Sequence, residues 1–303
     1  MRLRRDEPIQ VKSPAQLAIM REAGLVTAAA LRAAAAAAQP GISTAELDAI
    51  AEREIRSAGA VPSFKGYHGY PATICTSVND QIVHGIPSSA QVLRKGDVIS
   101  IDCGAIVDGW HGDSAVTIAV AVPLPGAAGS LEDIAGLLRA CELSMWHGLA
   151  QAVPGKRLTD ISHAVEQAAR AAGRYGIVRE YTGHGIGTQM HMAPTVPNYG
   201  RAGRGPILTP GMALAIEPML VLGAPQTRLL DDGWTVVTQD GSWAAHFEHT
   251  VAVTDDGPWV LTAEDGGAAW LAALQSGHAA PGGQATMAGQ ATAARAGGVH
   301  DGI

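Results

Sequence analysis

AAAAAAQPGISTAELDAIAEREIRSAGA, residues 33–60, reads as the end of one helix, a Pro-Gly turn, a capping residue and a second helix. The same outline returns in GLAQAVPGKRLTDISHAVEQAARAAG, residues 148–173, with its turn at Pro154-Gly155. In the first copy Ser13, Pro14 and Gln16 mark the start of the leading helix, and Ser43 with Glu46 the start of the second. Both are capping boxes, in which side chains three residues apart satisfy each other's free amides. Apolar, β-branched segments follow each pair. They are TICTSV (73–78), DVISIDCGAIV (97–107) and DSAVTIAVAV (113–122) after the first, then GIVREY (176–181), MALAIEPMLVL (212–222), TVVTQD (235–240) and HFEHTVAVT (246–254) after the second. Such runs predict strands. The economical reading is an α/β chain of two αα-plus-sheet halves facing each other; the alternative is chance, because alanine-rich composition alone produces such matches.

Composition removes several function classes. The chain has 303 residues, 16% of them charged and 47% hydrophobic, with a net charge of −7. No basic stripe invites nucleic acid. Nothing in MRLRRDEPIQ resembles the apolar stretch of a signal peptide, and Ala28 to Ala38, interrupted by Arg32, is too weakly apolar to span a bilayer, so direct membrane binding is not expected either. Cys75, Cys103 and Cys141 stand singly, which fits free thiols in a reducing, cytoplasmic compartment. From about Glu264 the composition turns to Ala, Gly, Ser and Gln. This predicts an N-terminal extension over 1–12, one folded domain over 13–262 and a disordered tail over 263–303. Within that tail Trp270 and Leu271 can dock a short helix, which places the boundary near Ser276.

Five residues sit in apolar or glycine-framed stretches where an unpaired charge would be costly: Asp102, Asp113, His184, Glu217 and Glu248. Four carboxylates and an imidazole suit a pair of divalent cations. IDCGAIVDGWHGD predicts a hairpin turning at Asp108-Gly109. Asp102 and Asp113 are then directly opposite if the turn residues are 107 and 108, and diagonal if they are 108 and 109; both registers leave them on one face. An exposed edge pair is the alternative. Glycines 183, 185 and 187 flank His184 and are expected to let a bulky ligand approach the ring. They do not form a phosphate loop, because G-x-G-x-x-G is not completed and no Gly-Lys-Ser/Thr follows.

GYHGYPATICTSVNDQIVHGIP (66–87), IDCGAIVDGWHGDSAV (101–116), GHGIG (183–187) followed by MH (190–191), PGMALAIEPML (210–220) and FEHTVAVT (247–254) together resemble the signature blocks of bacterial type I methionine aminopeptidases, M24 metallopeptidases. The likeness covers roughly 13 to 262. It implies the pita-bread fold, two pseudo-symmetric halves around a dinuclear metal site, and co-translational removal of methionine ahead of a small second residue. It also implies Asp102 as a bidentate ligand of one cation (Co, Mn, Fe or Zn), Asp113 and Glu248 as bridges, and His184 with Glu217 on the other. His84 and His191 match positions contacting the scissile peptide, with Glu217 as proton shuttle. Phe64, Tyr67, Tyr70, Cys75, Met190 and Trp234 match the methionine pocket, which His84 and His191 border. The expected partners are methionyl peptides and nascent chains, with the ribosome as a candidate, and the expected state is a monomer.

Departures from the pattern are Met192-Ala193, where many relatives carry an acid, and His246, where glutamine is common. Xaa-Pro aminopeptidases and prolidases share the five-ligand set but carry a large extra N-terminal domain. Type II enzymes carry an insertion for which the 33 positions from His184 to Glu217 leave no room. A non-catalytic binding module on the same scaffold is the remaining alternative.

Overall fold

The computed structural model describes residues 8–121 and 131–277. Five helices, α1 (Pro14–Ala37), α2 (Thr44–Ser57), α3 (Leu131–Leu149), α4 (Leu158–Ala172) and α5 (Ala268–Ser276), accompany a nine-stranded antiparallel sheet. Its strands are β1 (Val61–Pro62), β2 (Ile74–Val78), β3 (Val98–Val107), β4 (Trp110–Ala119), β5 (Gly183–Gly185), β6 (Met192–Val196), β7 (Ala213–Ile216), β8 (Glu248–Thr254) and β9 (Gly257–Val260). They run in the order β1-β3-β4-β8-β7-β5-β6, with β2 also on β3 and β9 also on β8.

Both capping boxes of the first half form. The Ser13 hydroxyl accepts from the Gln16 amide (3.3 Å) while Gln16 Oε1 accepts from the Ser13 amide (2.9 Å), and Ser43 with Glu46 does likewise. In the second half Arg157 stands at the cap and only the return bond survives, from its amide to Asp160 (2.8 Å). The repeat nevertheless reaches the level of single hydrogen bonds. The Gly41 amide donates to the Leu93 carbonyl (2.8 Å) and the Leu93 amide to the Ile42 carbonyl (2.8 Å); Gly155, Leu208 and Lys156 repeat the pattern at 2.9 and 2.7 Å. Thr44 to Gln91 and Leu158 to Pro206 extend it. Chance likeness of two alanine-rich helices would not reproduce this pattern.

Helices and sheet meet over one continuous core, in which Leu31, Leu47, Ile55, Leu137, Met145, Ile161 and Val165 pack against Ile99, Ile101, Val251 and Val253. Alternation then turns Asp102 and its neighbours two residues away to the opposite face. Helix α1 lies against β4 with no side chain between them at one point, since a Cβ on Gly112 would stand 2.6 Å from the Gly24 amide nitrogen and a Cβ on Gly24 would strike the Leu261 carbonyl. The docked short helix is α5, where Trp270 stacks on Trp146 at 5.1 Å with rings 4° from parallel. The N-terminal stretch is tied down at Lys12, whose amide donates to the Gly211 carbonyl (2.8 Å). Residues 1–7 of that extension and 278–303 of the tail lie outside the described residues.

Candidate active site

Strand register assembles the cluster. Val107 pairs with Trp110, so the turn residues are Asp108 (φ 47°) and Gly109 (φ 80°), the left-handed pair of a type I′ hairpin. Asp102 is opposite Ala115 and Asp113 opposite Gly104, which settles the two acids as diagonal. Both strands are interior to the sheet, not an exposed edge pair. Ala115 is also opposite Glu248 on β8. Pairing between 213–221 and 244–254 keeps one register on either side of Pro218, His249 with Ile216 and His246 with Met219, which sets Glu217 opposite Glu248. His184 is opposite Ala215, two residues before Glu217. All five residues therefore share one face, in an arrangement of like charges that is destabilising on its own.

Asp113, His184 and Glu248 are buried, while Asp102 and Glu217 are half-buried at a cavity of about 280 Å³. His184 Nε2 lies 3.3 Å from Glu217 Oε1 and 4.0 Å from Asp113 Oδ2. The Gly185 carbonyl, 3.0 Å from His184 Nδ1, can only accept, so Nδ1 carries the proton and Nε2 turns its lone pair toward the acids. Burial holds this ring neutral, with its pKa lowered to about 4. Burial raises Asp102 to about 7, and burial with mutual repulsion pushes Asp113, Glu217 and Glu248 well above the carboxylate range. Among the described residues nine buried side-chain nitrogen or oxygen atoms lack a hydrogen-bond partner, and four of them are here: Asp102 Oδ1, Asp113 Oδ1, Glu248 Oε1 and His246 Nε2. A lone pair aimed at carboxylates, with orphaned oxygens around it, fits divalent cations. Ligand atoms of Asp113, His184 and Glu248 lie within 4.8 Å of one another; Asp102 is outside that group but lines the same cavity.

The apolar side of the cavity is a separate cluster of Phe64, Tyr70, Cys75 and Met190, with Tyr67 and Trp234 packed against it. The Tyr70 hydroxyl is directed to the Ile74 and Gly85 carbonyls (3.0 and 3.1 Å), which fixes its ring edge-on to Trp234 at 5.0 Å. His84 borders the cavity with φ 61°, a left-handed conformation rare for a non-glycine residue. The Tyr67 hydroxyl is 2.8 Å from His191 Nδ1.

One reading of the sequence changes here, and one departure finds its place. Glycines 183 and 185 admit protein, not a ligand: a Cβ at 183 would strike the Ala215 carbonyl and one at 185 the Ala193 carbonyl, while Gly187 makes room for the Gln10 side chain. The departure at His246 stands at the site itself, with its Nε2 3.7 Å from Glu217 Oε2. The signal was present in its spacing, two residues before Glu248 on a strand of period two.

The sequence matches Metallopeptidase family M24 over residues 18–255. It is 57% identical over 266 residues to methionine aminopeptidase 1 of Mycobacterium tuberculosis, an alignment covering 86% of this chain and 97% of that one. Among solved structures, methionine aminopeptidase from Thermotoga maritima superposes with a TM-score of 0.81 at 37% identity, covering 85% of this chain and all of that one. The prolidase from Pyrococcus horikoshii, at 22% identity, a TM-score of 0.65 and coverage of 84% and 63%, shares the fold alone. That shared architecture is the pita-bread fold. With a matched region spanning every residue of the acid–imidazole cluster, the chain belongs to metallopeptidase family M24.

Proposed function

We propose that this chain is a methionyl aminopeptidase, hydrolysing the first peptide bond of chains that begin with methionine and continue with a small residue. One observation carries the reading: the acid–imidazole cluster and a narrow apolar pocket share a single cavity of about 280 Å³, so a side chain held in one presents its own backbone to the other. An unbranched thioether suits a pocket of Phe64, Tyr67, Tyr70, Cys75, Met190 and Trp234.

Asp102, Asp113, His184, Glu217 and Glu248 would hold two divalent cations, of the group Co, Mn, Fe and Zn that mixed carboxylate and imidazole donors accept. Bound there, such a pair supplies Lewis acidity, polarising a peptide carbonyl and bringing the pKa of water from 15.7 toward about 7. Glu217, half-buried at the cavity, takes up the water's proton and passes it to the leaving amine. His84 and His191 donate to the carbonyl oxygen as charge develops on it. For His191 to donate from Nε2 its Nδ1 must accept, and the Tyr67 hydroxyl 2.8 Å away is the donor that would hold that tautomer. Because five ligands and two histidines crowd the reacting bond, a bulky second residue does not fit.

Cys75, Cys103 and Cys141 are all free and buried, in keeping with a reducing compartment such as the cytoplasm, where nascent chains are made. Among the described residues no helix is long and apolar enough to cross a membrane. Methionine release from Met-Ala-Ser, Met-Lys-Ser, Leu-Ala-Ser and acetyl-Met-Ala-Ser at equal concentration tests the proposal. Only the first should turn over rapidly, with slow leakage on Leu-Ala-Ser, because shape alone separates methionine from leucine by about 1–3 kcal/mol. Equal rates on Met-Ala-Ser and Met-Lys-Ser, or cleavage of the acetylated peptide, would refute it.

A further inference from the structure

We propose that His246 is a further metal ligand, placed beside Glu217 and Glu248, so that the pair of cations takes two imidazoles in all. This rests on the two-metal reading above and goes beyond it, since the resemblance carries one imidazole in its ligand set and has glutamine common at position 246.

His246 ends the strand Ala244–His246, two residues before Glu248 and opposite Met219. Its ring is 1% exposed, and its Nε2 is enclosed without a hydrogen-bond partner. An imidazole nitrogen buried in that state is costly unless something meets it. The nearest acid oxygen, Glu217 Oε2 at 3.7 Å, is too far for a hydrogen bond. It is nevertheless at the spacing of two donors on one cation, which at ligand distances of 2.0–2.2 Å stand roughly 3–4 Å apart. Glu217 is flanked on both sides in this way, because His184 Nε2 lies 3.3 Å from its other oxygen. Ligand atoms of Glu217, His246 and Glu248 lie within 4.8 Å of one another, as do those of Asp113, His184 and Glu248, and Glu248 is common to both sets. The two triads, each of two carboxylates and one imidazole, meet at Glu248 as their common corner. A glutamine at 246 would offer only an amide, a poorer ligand for borderline cations than imidazole.

The test uses the full chain and its His246→Gln and His246→Ala variants, stripped of metal and titrated calorimetrically with Co(II). X-ray absorption then counts imidazoles per cobalt at two equivalents. The structure predicts two sites and one imidazole per cobalt in the unaltered chain. Both variants should fall to one imidazole for every two cobalts, with one site weakened about tenfold or more. Two sites with one imidazole per two cobalts in the unaltered chain, unchanged in His246→Gln, would overturn the ligand role and leave the two-metal reading standing. Fewer than two sites in the unaltered chain would overturn that reading and this one with it. Should His246→Ala fail to fold, His246→Gln keeps the comparison decisive.

Discussion

Glu217 and Glu248 face each other across two antiparallel strands, and the chain accepts that repulsion at a place where Glu248 Oε1 lacks any other partner. Replacing either buried donor should therefore remove function without removing the fold. His184→Ala or Glu248→Ala is expected to lower kcat/KM for Met-Ala-Ser by at least about 10³-fold, on the order of 4 kcal/mol, while circular dichroism stays native; residual activity within tenfold would exclude the residue from the site. Tyr67→Phe tests the proton arrangement of His191. Losing the donor to Nδ1 should reduce kcat by roughly tenfold, in the range of general acid–base contributions, with little change in KM. A rise in KM alone would leave Tyr67 as a pocket wall only. The four acids and the imidazole were legible in the sequence because a lone charge in an apolar run has few explanations. The glycines around His184 were not, since only the folded chain shows that the Ala215 and Ala193 carbonyls occupy the space a side chain would need.

Between β3 and β4 the sequence left two registers open, and the turn decided: Asp108 and Gly109 both take positive φ, so Asp102 and Asp113 are diagonal. Hydrophobic alternation could not choose, because both registers preserve the buried face. The break at Pro218 was equally hidden, since MALAIEPML reads as one strand while Pro218, without an amide proton, divides it into Ala213–Ile216 and Met219–Val221. The helix pairs were legible from their capping residues and Pro-Gly turns, but the closeness of α1 to β4 was not. The equally close contact of Gly24 with Leu261 predicts a stability effect remote from the cavity. Gly24→Ala would drive its methyl into the Leu261 carbonyl, and overpacking of this kind costs about 1–3 kcal/mol. A lowered melting temperature with kcat/KM nearly unchanged below the transition is the expected result, and a variant as stable as the parent would contradict the packing.

As a whole, the molecule is two similar halves whose strands join in one continuous sheet, with the acids along one face where the halves meet. Deleting 277–303 should leave kcat/KM within about threefold, given the tail's composition, whereas deleting from 264 also removes the Trp270 stack on Trp146 and should lower the melting temperature; an aromatic pair contributes about 0.5–1.5 kcal/mol beyond its buried area. Metal and pH are linked across the whole fold. In the metal-free protein the acids hold protons to unusually high pH, Asp102 up to about 7, so the stability that this protonation gives is present at low pH and lost as pH rises through that value. The histidines, held neutral by burial with His184 near 4 and His246 near 3, stay neutral in both metal-free and loaded forms and cancel from the comparison. The gap in melting temperature between loaded and stripped protein should therefore widen from pH 5.5 to 8, and a narrowing gap would show that the acids are not the ligands. The central claim is that a folded, metal-free chain lacks only its cations. The direct measurement is methionine release from Met-Ala-Ser before chelation, after exhaustive chelation and after addition of two equivalents of Co(II) or Mn(II), with circular dichroism recorded at each stage. Activity lost and then restored over an unchanged spectrum is the predicted result; turnover surviving the removal of all metal would contradict it.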